Sequence, residues 1–153
     1  MPSKRAVVTK AALKQNSHAD WNAFIDLLAM TEYDDLASEQ RQAHLVFWYE
    51  SEVQNGGHLQ FFLNQGHDRA EETALSLNAL GASEHAQVLE QATARWRGAA
   101  RLAPADAMEY SAVASEMEFE DLDRAFHDCP VPLVEILRRH LVEHDSDYII
   151  REE

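Results

Sequence analysis

Cysteine is nearly absent: the 153-residue chain has one, Cys129. One thiol closes no intrachain disulfide and supplies no cysteine-rich zinc site, which fits a reducing compartment, and the expected location is the cytoplasm. Positive charge is scarce as well. Thirteen Lys and Arg stand against 27 Asp and Glu, a formal net charge of −14, whereas binding to nucleic acid or anionic lipid calls for the opposite sign. A charged partner would therefore be basic. Long apolar runs are missing too: Ala6-Val7-Val8 is cut by Thr9 and Lys10, leaving no core for a signal peptide or a membrane span. Phosphate-loop, dinucleotide-binding and Gly-x-Ser-x-Gly signatures are absent, so nucleotide use and serine hydrolysis have no support and no cofactor is expected.

Glycine and proline are few, five and four, and every one falls at a boundary between helical patterns. The alternation of half-buried strands is missing. With 46% hydrophobic residues, the expectation is an all-α single domain, a bundle of about six to eight helices. Residues 1–16 carry Lys4, Arg5, Lys10 and Lys14 without an acid, a basic N-terminal arm that is either solvated or laid over acidic surface; residues 17–153 form the helical domain. Ser17 is the expected cap of a first helix with Trp21, Phe24, Ile25 and Leu28 on one face. Ser38 caps a second, which carries Leu45, Val46, Trp48, Tyr49 and Val53. Gly66 ends a short Phe-rich helix, Asp68-Arg69-Ala70-Glu71 opens the next as a capping box, and Ser83 starts one that runs to Gly98. A further helix is expected across Met108–Phe126. Pro130 and Pro132 break it, and a last helix turns Leu133, Ile136, Leu137 and Leu141 inward before an apolar tail, Tyr148-Ile149-Ile150, that docks on the body.

The most tightly specified stretch runs from Glu52 to Asn64. Asn55-Gly56-Gly57 offers three residues tolerant of positive φ directly after an apolar helix, so an elbow is expected there. Phe61 and Phe62 follow with a large apolar load, and Gln60 and Asn64 share one helical face. The pattern Glu52-x-x-Asn55-Gly56-Gly57-x-x-Gln60-Phe61-Phe62-x-Asn64 resembles the signature of a bacterial domain-of-unknown-function family, the one that forms the C-terminal domain of the DNA mimic protein 19 type. Trp21-Asn22-Ala23-Phe24, Ala74–Gly81 and Leu122-Asp123-Arg124-Ala125-Phe126 extend the likeness over about residues 20–128. The resemblance implies an all-helical fold and an acidic homodimer that occupies the DNA-binding face of a helix-turn-helix regulator.

Charge distribution supplies a candidate surface. Residues 106–153 hold 14 acids and four Arg, a net −10, against a net −4 for residues 1–105. Glu116, Glu118, Glu120, Asp121 and Asp123 place five acids in eight residues, one per roughly 2.4 Å of helix axis, near the roughly 1.7 Å per charge of duplex DNA. This stretch is the candidate partner-binding surface for a basic DNA-binding protein; the plain alternative is a solvated face that serves solubility.

Two enzyme readings compete with that one. His140-Leu141-Val142-Glu143-His144 matches the H-x-x-E-H zinc-protease pattern, but only nine residues follow to supply a third ligand. Its plain alternative is a solvent-facing histidine pair whose protonated rings complement a helix C-terminus. Glu50, Glu52, Asn55, His58, Gln60 and Asn64 could converge as a pocket with His58 as base or ligand; alternatively the Asn and Gln side chains hold a helix junction together. Cys129, with only His127 and Asp128 as sequence neighbours, reads as a bystander thiol.

Overall fold

The computed structural model describes residues 2–66, 68–101 and 119–153. Helices dominate: α1 (Lys10–Gln15), α2 (Ala19–Met30), α3 (Ser38–Gln65), α4 (Asp68–Ala79), α5 (Ser83–Arg101), α6 (Glu120–Asp128) and α7 (Leu133–Glu143). Short 3-10 turns sit at Tyr33–Asp35 and Asp145–Asp147. Among the described residues this is the mostly helical bundle expected, with one addition. Ala6–Thr9 forms a strand, β1, that pairs in parallel with β2, Ile149–Glu152, in the register Ala6↔Ile149 to Thr9↔Glu152. Four residues per strand are too few for an alternating pattern to stand out.

The small sheet gives the basic N-terminal segment a place in the fold. Val8 is buried, and Lys10 Nζ reaches Glu153 Oε1 at 2.8 Å. Gln40 holds this end together. Its amide is fully buried, with Oε1 accepting from the Ala37 N–H and Nε2 donating to the Lys4 and Asp147 carbonyls. A single side chain thus satisfies the start of α3 and both chain ends, as buried amides must be. The apolar tail docks as expected: Tyr148 is fully buried and meets Phe24 edge-on, ring centroids 4.8 Å apart.

Several expected boundaries move. Ser17 does not cap α2; His18 precedes the helix, and Asn16 Oδ1 accepts the His18 N–H instead. Ser38 is the first residue of α3 rather than its cap; Ala37 holds the cap position, and its N–H donates to Gln40 Oε1. Gly98 does not stop α5, which continues to Arg101; a glycine costs a helix only about 1 kcal/mol relative to alanine, and two alanines follow it. Most of the helix expected across Met108–Phe126 lies outside the described residues; α6 begins at Glu120. Gly66, with φ +78°, does end α3, and Pro132 immediately precedes α7.

The core is built around α3, which packs against α2, α4, α5, α6 and α7. Phe24, Leu28, Tyr49, Phe61, Phe62, Leu77, Leu89, Leu133 and Leu137 are its largest wholly buried apolar side chains apart from Tyr148. Trp21, Trp48 and Trp96 are half-buried at its edge.

Candidate functional site: the elbow and the acidic surface

The hydrogen-bonded helix α3 is interrupted inside, where Gly56 and Gly57 leave helical geometry and Gly57 takes φ +76° with ψ −175°. That region of backbone space is open to glycine alone. The bend it produces is sharp. Residues twelve apart on a straight helix are separated by about 18 Å, yet Asn64 Nδ2 donates to Glu52 Oε2 at 2.7 Å, and the Tyr49 and Phe61 rings meet with centroids 5.2 Å apart. Gln60 Nε2 donates to the same Glu52 oxygen at 3.0 Å, and Asn55 Nδ2 reaches Gln60 Oε1 at 3.4 Å. The polar residues of the motif therefore form one network that ties the two arms of α3 across the bend. Phe61 and Phe62 fill the inside; Phe62 stacks on Trp96 with centroids 5.0 Å apart.

A break in a helix leaves N–H groups without their usual acceptors. Here the acceptor comes from α6. Asp123 Oδ1 accepts the His58 backbone N–H at 2.9 Å and lies 2.6 Å from His58 Nδ1, while His58 Nε2 lies 2.8 Å from the Tyr49 hydroxyl. Nδ1–H donating to the carboxylate leaves Nε2 to accept the tyrosine proton. Burial pushes the Tyr49 phenol well above its ordinary value, with the nearby Cys129 and Asp123 charges acting the same way. His58 has no exposed surface, so both ring nitrogens are spent on internal bonds. Of the six residues proposed for an elbow pocket, Glu52, Asn55, Gln60 and Asn64 come together, His58 belongs to a separate Tyr49–His58–Asp123 chain, and Glu50 joins neither. Glu50 is half-buried, and burial raises its carboxyl above the ordinary range against a hydrogen bond from Gln54.

The acidic candidates part company. Glu116 and Glu118 lie outside the described residues. Glu120 is exposed, 3.6 Å from Arg124. Asp121 is held by both guanidinium nitrogens of Arg95 at 2.5 and 2.7 Å, and that hydrogen bond, more than any other influence, lowers its carboxyl. Asp123 turns inward to the elbow. A second acidic stretch escaped the sequence reading: Glu32, Asp34, Asp35 and Glu39 are four exposed acids in eight residues, on and beside the first 3-10 turn, with Arg41 donating to backbone carbonyls there rather than to their carboxylates. The signal was there in the charge run, hidden by a lower net charge averaged over residues 1–105.

The H-x-x-E-H histidines do other work. His140 Nε2 lies 2.6 Å from the Tyr148 hydroxyl, which in turn donates to the Glu39 carbonyl. Burial, with His144 alongside, lowers the His140 pKa to about 4. The solvent-facing protonated pair is therefore corrected: His140 is neutral and structural, and only His144 is exposed. Among the described residues no three His, Cys, Asp or Glu side chains are grouped to hold a metal. Cys129 is half-buried, and burial raises its thiol above the ordinary value.

A scan against protein families matches residues 34–144 to the model described as DMP19-like protein. The chain belongs to the DMP19-like family. The match begins later and ends later than the stretch of likeness in the sequence, and it contains the whole elbow together with Asp123. Searches of curated proteins and of solved structures return no match. No helix among the described residues of this DMP19-like chain is long and apolar enough to cross a membrane.

Proposed function

We propose that the protein is an acidic binding module rather than a catalyst, a DNA mimic that occupies the DNA-binding surface of a basic transcription regulator or other DNA-binding protein, acting in the cytoplasm as a homodimer. Membership of the DMP19-like family carries the reading; the net charge of −14 supports it. Carboxylates then stand where phosphates would, facing the Lys and Arg side chains of a groove reader. Glu116, Glu118, Glu120 and Asp121 are the proposed contact acids, and Asp123 contributes by fixing the elbow from which α6 is presented. The elbow residues Glu52, Asn55, Gly56, Gly57, Gln60, Phe61, Phe62 and Asn64 hold the scaffold.

The test is a competition shift assay with a DNA-binding protein captured from the host. The mimic should displace DNA, and displacement should weaken steeply with salt because several charge pairs form together. Replacing Glu116, Glu118, Glu120 and Asp121 by the matching amides should reduce displacement by orders of magnitude with helix content retained. Simultaneous binding of DNA and this chain to the captured protein would refute mimicry.

A further inference from the structure

Where α2 ends, the first 3-10 turn passes and α3 hands over to α4, the surface holds a hollow of about 270 Å³, lined by Thr31, Glu32, His44, Trp48, Gln65 and Arg69 among others. Beside the Arg69 cation, its lining offers acceptors. α2 ends at Met30 and α3 at Gln65, so the last carbonyls of two helices, the negative poles of their dipoles, come to this corner. Glu32 adds an exposed carboxylate. His44 is only 9% exposed. Burial, with the Arg69 charge acting the same way, holds its ring below the ordinary pKa against a hydrogen bond to the Leu28 carbonyl and the Glu32 charge, and its Nδ1 is closed to solvent with no partner among the described residues. The proton that bonds Leu28 is then on Nε2, which leaves Nδ1 a bare acceptor.

The corner already takes guanidinium groups from its own chain. Arg69 and Arg41 lie 3.8 and 4.7 Å from the centroid of the Tyr33 ring, and Arg41 also donates to the Tyr33 and Asp34 carbonyls at 3.0 and 3.2 Å. Glu72, 3.3 Å from Arg69, offsets that charge. Among the described residues the half-buried Trp48 ring carries no guanidinium of its own.

We propose that this hollow receives an arginine side chain presented by a protein partner, its guanidinium stacked on Trp48 and donating to Glu32 and to the helix-end carbonyls. An occupant that only donates suits a corner with an exposed carboxylate and two helix C-termini, and a planar guanidinium can lie flat on an indole, which a compact ammonium cannot. The proposal rests on the reading of the protein as the binder of a basic partner and gives that partner a second anchor, apart in sequence from Glu116–Asp123.

The experiment needs neither DNA nor the partner, so its failure is separable from failure of the competition assay. Capped Gly-Arg-Gly, capped Gly-citrulline-Gly and free L-arginine are titrated into the full chain at low salt, following the Trp48 indole N–H by NMR, with a Trp48→Phe variant to assign it. The arginine peptide should give a saturable shift with a dissociation constant of about millimolar. Binding should weaken at least about fivefold for the citrulline peptide and in Glu32→Gln, and hold in Glu90→Gln, an exposed acid on α5. Equal shifts from arginine and citrulline, or equal weakening in the two variants, would overturn the site. Free arginine binding as tightly as the peptide would overturn a protein side chain as its source.

Discussion

Gly57 and Gly66 both have positive φ, +76° and +78°, but only one of them is crowded. A Cβ at Gly66 meets nothing within 4 Å, whereas at Gly57 it runs into the Asp123 carboxylate. Gly57→Ala should therefore cost both backbone strain and the cap on His58, about 2 kcal/mol or more, and Gly66→Ala the strain alone. Urea melts of the two variants check the order; equal losses would mean that the Asp123 contact is unimportant. His140 offers a second test at this scale. Its folded pKa of about 4 lies below the ordinary 6.5, so the unfolded chain binds the proton more readily, and stability should fall as pH drops from about 6.5 towards about 4. His44 and His85, both lowered by burial, act in the same direction. His140→Gln removes one titrating group while keeping a donor for Tyr148, and should flatten that slope. An unchanged slope would assign the pH dependence to other groups.

Among the elements, the two short strands depend on Gln40. Without its amide the Lys4 and Asp147 carbonyls lose a donor in a part-buried setting, at a cost of about 2 kcal/mol. Gln40→Ala should lower hydrogen-exchange protection at Val8 and Ile150 before it touches α4 or α5, since a two-stranded sheet has little stability of its own. Uniform loss of protection would show that the sheet and the bundle open together. The elbow obeys a different logic. Its two arms are joined by the Glu52 network and by Asp123 from α6, so Asp123→Asn should loosen the elbow although it removes only one charge. That effect on folding is why Asp123 is left out of the amide variant used to test partner binding.

For the molecule as a whole, a net charge of −14 on 153 residues makes self-repulsion a global term. Among the described residues few ion pairs stand against it: Lys10–Glu153 and Arg95–Asp121 are exposed, and Asp20, paired with Arg151, is half-buried. Screening should therefore help more than it harms, and the melting temperature should rise as NaCl is added to about 0.3 M. A melting temperature that falls with salt would show that the ion pairs outweigh the repulsion.

Helix class, the elbow and the acidic character were legible in the sequence, because each rests on local rules: apolar periodicity, the rarity of positive φ outside glycine, and counted charge. The core roles of Phe24 and Leu28 followed from spacing, and those of Phe61 and Phe62 from their apolar load next to the elbow. Tertiary structure decided what no local rule contains. It brought Ala6–Thr9 beside Ile149–Glu152, more than 140 residues away in the register that pairs them, and it chose which acids face solvent. Asp121 and Asp123 are two residues apart, yet one meets Arg95 from α5 and the other caps the far arm of α3. Their positions in the sequence predict the charge they carry; only the packing of α6 against two other helices determines where that charge goes.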